Sequence, residues 1–171
     1  MLHQFKSITT FIFDMDGVLT DGSLTLLPTG EMVRRMNVKD GYALQLAIKK
    51  GYHVVVISGG YSKEAMDRLQ RLGIDKVWMK VTDKITVANQ FLQDQDLSWS
   101  NVLYMGDDLP DLDVMNKAAL PCCPADAVQE IKDISTYISH LPGGSGCVRD
   151  VIEKVMKLRG DWNSDTHIPS A

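Results

Sequence analysis

Three short runs of β-branched and aromatic residues stand out along the chain, at residues 8–13, 52–57 and 101–105. None of them alternates with polar residues, which predicts strands buried on both faces. Between and after these runs, apolar residues recur at helical spacing. Leu44, Ala47 and Ile48 make one stripe, and Ala65, Met66, Leu69 and Leu72 a second that Gly73 stops. Ile85, Ala88, Phe91 and Leu92 make a third, and Val148, Val151, Ile152 and Val155 a fourth near the end. Strands that alternate with helices predict an α/β fold, a Rossmann-like parallel sheet flanked by helices. Residues 23–38 depart from this rhythm: two strand-like pieces surround Pro28-Thr29-Gly30 and predict a β-hairpin inserted at about residues 20–38. Its exposed faces invite a partner subunit. The pattern gives one domain over residues 1–158 and a polar tail, 159–171, expected to fray.

Composition narrows the class without naming a chemistry. The 171 residues suffice for one domain with a full core and are too few for two ordinary ones. Hydrophobic residues at 44% and charged residues at 23% exclude a disordered chain. The longest apolar runs, such as Val54-Val55-Val56-Ile57, fall far below the ~18–20 residues of a membrane span. Met1-Leu2-His3-Gln4-Phe5-Lys6 has no apolar stretch, so neither a secretory signal nor a membrane partner is expected. Eighteen Lys and Arg against 22 Asp and Glu leave a net charge of −4, with no basic surplus for nucleic acid. Three cysteines, Cys122, Cys123 and Cys147, lack metal-ligand spacing and fit a reducing cytoplasm. His3, His53, His140 and His167 show no zinc spacing either.

The candidate chemistry lies where the strands end. In open parallel sheets, ligands sit beyond the carboxyl ends of the strands. The first strand runs into Asp14-Met15-Asp16-Gly17, the second into Ser58-Gly59-Gly60, and the third into Gly106-Asp107-Asp108, with Asp111 shortly after. Asp14 and Asp16 are two apart, so in extended backbone their side chains project the same way. Like charges that close are costly unless a cation or a shared proton offsets them. A hard divalent ion with oxygen ligands, Mg²⁺ above all, meets that need, and Asp107 brings a third carboxylate from a neighbouring strand.

Asp14-Met15-Asp16-Gly17-Val18-Leu19-Thr20-Asp21-Gly22, then Ser58, Lys84 and Gly106-Asp107-Asp108-Leu109-Pro110-Asp111 resemble, in order, the four motifs of the haloacid dehalogenase superfamily. The resemblance implies a Mg²⁺-dependent phosphatase working through an aspartyl-phosphate intermediate. Asp14 would be the nucleophile and Asp16 the general acid and base. Asp14, the backbone carbonyl of Asp16 and Asp107 would hold the metal, with Asp108 and Asp111 in support. Ser58, Gly59 and Lys84 would grip the phosphoryl oxygens.

Neither interval between motifs has room for a cap domain. The length and hairpin are similar to the capless 3-deoxy-D-manno-octulosonate 8-phosphate phosphatase family, whose members are homotetramers. Val38-Lys39-Asp40-Gly41-Tyr42, Asp67-Arg68 and Gly143-Gly144-Ser145-Gly146-Cys147-Val148-Arg149-Asp150 resemble segments of that family. The likeness implies a sugar-acid phosphate substrate in lipopolysaccharide precursor synthesis, with Asp40 and Arg68 binding it, Arg68 from an adjacent subunit. Two positions depart: Gly60 and Ser145 stand where many relatives carry arginine, leaving Arg68, Lys63 and Arg149 as cations for an anionic sugar. Nine-carbon sialic-acid-type 9-phosphates are the competing substrates. A catalytically silent regulatory domain of the same fold is the competing class, against which the clustered charges argue.

Overall fold

In the computed structural model, which describes residues 2–163 and 165–168, helix α1 (Leu2–Ser7) leads into β1 (Thr10–Phe13). A tight turn over Met15–Leu19 follows, then a two-stranded hairpin of β2 (Thr25–Leu26) and β3 (Met32–Val33). Next come α2 (Val38–Lys49), β4 (His53–Ile57), α3 (Lys63–Arg71), β5 (Lys76–Trp78), α4 (Lys84–Asp94) and β6 (Val102–Met105). The chain closes with α5 (Leu112–Met115), β7 (Leu120–Cys123), α6 (Gln129–Ile134), β8 (Tyr137–Ile138) and α7 (Cys147–Arg159). Six strands form one sheet in the order β5-β4-β1-β6-β7-β8, every pair parallel.

The apolar strands behave as their lack of alternation predicts, because each buries both faces. Phe11, Phe13, Val54, Val56, Leu103 and Met105 enter the core layer shared with α1, α2, α3 and α7. Ile12, Val55, Ile57, Val102 and Tyr104 enter the layer under α4, α5 and α6. Each such side chain contributes about 1.5–3 kcal/mol on burial. Register then sets the site: Phe13 lies opposite both Val56 and Met105, so β1, β4 and β6 end level and release Asp14, Ser58 and Asp107 at one edge.

Helices α1, α5 and α6 were not legible in the pattern, and three further features departed from it. Strand β7 contains Pro121, which argues against a central strand, yet it pairs with β6 and its Pro121 carbonyl accepts from the Thr136 amide at 2.9 Å. Cys122 and Cys123 alternate between the two core layers, fully buried as free thiols. Strand β8, at the edge, is only two residues long. The third is the tail, expected to fray, whose described part packs back instead. Trp162 and Ile168 lie against the α2–α7 core layer, Tyr42 bonds the backbone of Asp165, and Lys49 pairs with its carboxylate at 2.6 Å.

Between Asp16 and Ser58 the chain forms the hairpin, α2 and β4, and between Ser58 and Asp107 it forms α3, β5, α4, a single short turn and β6. The hairpin base is tied by a bridge between Thr20 and Met36, and its tip turns at Gly30 with φ of 87°. Leu26, Met32 and Val33 stay exposed on it. No helix among the described residues is long and apolar enough to cross a membrane.

Candidate active site

Asp14 follows the last residue of β1, and its amide donates to the Met105 carbonyl at 3.0 Å, which docks the start of the loop after β1 on β6. Lys84 opens α4 behind Asp83, whose side chain caps the helix. That placement drives the lysine inward: its Nζ lies 2.6 Å from Asp14 Oδ1 and 2.7 Å from Asp111 Oδ1. Asp111 is held further by the Tyr104 hydroxyl at 2.6 Å and the Asp107 amide at 3.2 Å. One oxygen each from Asp14, Asp107 and Asp111 lies within 4.8 Å of the others.

Two glycines make this convergence possible. At Gly17, with φ of 92°, a Cβ would fall 2.0 Å from Asp107 Oδ2, and at Gly106 one would fall 2.4 Å from Asp111 Cβ. Only a residue without a side chain lets the loops after β1 and β6 approach so closely. A third close approach comes from the Gly143–Gly146 turn. A Cβ on Gly143 would lie 2.0 Å from the Gly17 carbonyl, and the Gly144 amide donates to the Val18 carbonyl at 2.9 Å. The glycine-rich segment is therefore the floor under the loop that follows β1.

The electrostatics ask for a cation. Burial, reinforced by the charge of Asp111 and opposed by Lys84, pushes Asp14 up to about 6. Burial and the charges of Asp14, Asp111 and Asp108 push Asp107 up to about 8. Burial works against the Lys84 ammonium, but Asp111 and Asp14 outweigh it and raise its pKa. One lysine does not balance two buried carboxylates and the half-buried Asp107, whose Oδ1 is itself buried with no hydrogen-bond partner. An all-oxygen donor set with an orphaned carboxylate oxygen fits Mg²⁺.

The predicted residues divide into those the fold brings together and those it does not. Asp14, Lys84, Asp107 and Asp111 converge, so Asp111 is a full member of the cluster rather than a support. Asp16 does not point its carboxylate at the same partner as Asp14, because the chain has left extended backbone at the Met15–Leu19 turn. Its carboxylate is held by Arg34 of the hairpin, and its expected metal contact is the backbone carbonyl. Ser58 is buried, and its Oγ accepts from the Gly60 amide at 3.0 Å. Gly59 follows it in a loop that Val81 and Lys80 tie down through their amides. Asp108 is a local cap, accepting from the Leu109 amide at 2.8 Å.

Asp40 has a structural post that the family likeness did not imply. It is 2% exposed, and its Oδ1 accepts from the Arg149 amide at 2.7 Å, so it closes the N-terminus of α7. Burial pushes it up to about 6, against the pull of the Arg149 and Gly146 amides. Arg149 itself is committed, paired with Glu153 and packed against the rings of Tyr42 and Trp162. Lys63 pairs with Asp67 on the surface. Arg68 lines a cavity of about 640 Å³ with Met32, Val33, Arg34, Tyr61 and Lys63. Sequence reasoning missed Arg34 and Tyr104: no spacing distinguishes Arg34 from Arg35, and Tyr104 reads only as a strand residue.

No protein-family model matches the chain. The 3-deoxy-D-manno-octulosonate 8-phosphate phosphatase KdsC of Salmonella typhi is 34% identical over 160 residues, spanning 94% of this chain and 85% of that protein. The solved Yersinia pestis phosphatase of the same name aligns with a TM-score of 0.91 at 30% identity, covering 94% of this chain and 86% of that one. The Moraxella catarrhalis phosphatase, solved in complex with magnesium ion, phosphate ion and KDO, aligns with a TM-score of 0.90 at 29% identity over 94% and 92% of the two chains. With this much of both sequence and fold in common, the chain belongs to the KdsC family of 3-deoxy-D-manno-octulosonate 8-phosphate phosphatases, within the haloacid dehalogenase superfamily.

Proposed function

We propose that this protein is a Mg²⁺-dependent phosphomonoesterase that hydrolyses 3-deoxy-D-manno-octulosonate 8-phosphate to the free sugar acid and phosphate, a step in lipopolysaccharide precursor synthesis. The observation that carries the reading is the cluster of Asp14, Asp107 and Asp111, two of whose members, Asp14 and Asp111, pair with the buried Lys84. A silent domain of this fold would bear the cost of those charges with no return. Mg²⁺, held by Asp14, Asp107 and the Asp16 carbonyl with Asp111 beside them, supplies charge neutralisation for the phosphate and the attacking carboxylate.

The chain's own groups then divide the work. Asp14 attacks phosphorus, and the bond to the sugar oxygen breaks as the acyl phosphate forms. Asp16 gives its proton to the departing alkoxide and later takes one from the water that opens the acyl phosphate. Lys84 and the Ser58 hydroxyl, with the Gly59 amide, hold phosphoryl oxygens whose charge shifts in the transition state. Arg68, which lines the cavity beside the hairpin, reaches the sugar carboxylate bound at an adjacent subunit.

The exposed Leu26, Met32 and Val33 on the hairpin favour self-association, which we assign as a homotetramer. Three free thiols favour a reducing, cytoplasmic setting. The decisive experiment compares kcat/KM for eight-carbon and nine-carbon sugar-acid phosphates in wild type and Asp14→Asn. The octulosonate ester should win and the variant should be folded and inactive. Preference for the nine-carbon esters would overturn the substrate, and turnover by the variant would overturn the nucleophile. Sedimentation of a fully active monomer would overturn the tetramer.

A further inference from the structure

Arg34 sits at the end of the hairpin, an element to which sequence reasoning assigned no chemistry, yet its side chain is only 5% exposed. Its Nε donates to Asp16 Oδ1 at 2.8 Å and a terminal nitrogen donates to Oδ2 at 3.0 Å. The other terminal nitrogen donates back to the Met32 carbonyl at 3.2 Å, which ties the guanidinium to its own strand. Two bonds between planar groups fix a carboxylate's plane as well as its position. The Thr20 hydroxyl adds a weaker contact to Oδ1 at 3.3 Å. The neighbouring Arg35 is 85% exposed and pairs with Asp21 on the surface, so only one of the two adjacent arginines turns inward.

Position 60 explains why there is room. A Cβ at Gly60 would lie 2.8 Å from Asp16 Oδ2 and 3.2 Å from the Arg34 terminal nitrogen. The guanidinium occupies the space beside Asp16 into which any side chain at residue 60 would project.

We propose that Arg34 is the positioning residue for Asp16: from the hairpin it aims that carboxylate at the scissile ester, and Gly60 keeps the space the pair needs. The proposal rests on the reading of Asp16 as the acid that protonates the leaving group. An aspartate beside Gly17, in a turn, has two side-chain torsions free unless something holds them. Proton transfer needs the carboxylate within roughly 2.6–3.2 Å of the ester oxygen. Misplacement by about 1 Å can cost on the order of 10²-fold in rate. A guanidinium that merely fastened the hairpin would change stability or substrate affinity and leave the protonation step alone.

Single-turnover release of the leaving group separates these roles, using wild type, Asp16→Asn, Arg34→Ala, Arg34→Lys and Gly60→Ala. Each is assayed on an alkyl sugar phosphate, which needs the proton, and on 4-nitrophenyl phosphate, which hardly does. Arg34→Ala should slow the alkyl ester by about 10²-fold and the aryl ester by less than about tenfold. Arg34→Lys should recover part of the loss, and Gly60→Ala should show the same bias towards the alkyl ester. Equal slowing of both esters by Arg34→Ala, or a change in affinity alone, overturns the proposal while Asp16→Asn still discriminates. If Asp16→Asn itself slows both esters equally, the acid reading of Asp16 falls and this inference with it.

Discussion

The Nζ of Lys84 stands 2.6 Å from Oδ1 of Asp14, with both side chains less than a tenth exposed. The lysine offsets the charge of the carboxylate proposed as nucleophile while reaching Asp111 at 2.7 Å on its other side. Removing one partner from such a pair leaves buried charge without compensation. Lys84→Met should therefore lose about 3–5 kcal/mol of stability in metal-free urea unfolding. Added Mg²⁺ should restore part of that loss, and kcat should stay down by at least about 10²-fold. Unchanged unfolding without metal would contradict the pairing.

Metal affinity should rise with pH. Asp14 at about 6 and Asp107 at about 8 lie above the ordinary carboxylate value of 3.8. The folded protein thus holds protons that the unfolded chain has released, so the contribution of these two groups to metal-free stability is full below about 4 and falls as pH climbs towards 8. Mg²⁺ requires the ionised carboxylates, so its stabilising effect grows through the same window. Melting temperatures with and without Mg²⁺ should diverge as pH increases; parallel curves would count against carboxylate ligation.

Gly17→Ala is expected to be worse than a usual glycine replacement. Its φ of 92° already disfavours a side chain, and the new Cβ would fall 2.0 Å from Asp107 Oδ2. The variant should lose at least about 1 kcal/mol of stability. Its apparent Mg²⁺ affinity should fall as well, read by titrating activity against metal. Wild-type metal dependence in this variant would show that the two loops do not need their close approach.

Asp40 offers a direct contrast between two roles. As the residue that closes α7, Asp40→Ala should cost about 0.5–2 kcal/mol. Because burial raises its pKa from 3.8 to about 6, the wild-type side chain's contribution is full below about 4 and declines as pH rises through 6, so the difference should shrink at higher pH. KM for the sugar phosphate, measured at a temperature where the variant is folded, should not move. A large rise in KM with wild-type stability would return Asp40 to the substrate site.

Much of this architecture was readable from local pattern because its strands bury both faces, which leaves unbroken apolar runs, and its carboxylates follow those runs directly. Asp14, Asp107 and Ser58 needed only strand ends to be located. Arg34 could not be found that way, since its partner Asp16 is 18 residues distant and the space beside Gly60 exists only in three dimensions. Strand β7 was hidden by Pro121, and the tail's docking by its polarity: Trp162 and Ile168 carry the apolar contact, while Asp161 and Asp165 bond Tyr52 and Tyr42. The bond of Asp40 to the Arg149 amide was not foreseen because a resemblance identifies a position without saying whether it meets ligand or backbone.

The close approach of Gly143 to the carbonyl of Gly17 joins segments far apart along the chain. Asp14 is synthesised well before the surface that braces its loop. Activity should therefore switch on in the nascent chain only after that later segment has emerged. A fragment ending before that glycine would keep every reactive group and still have nothing to rest them on.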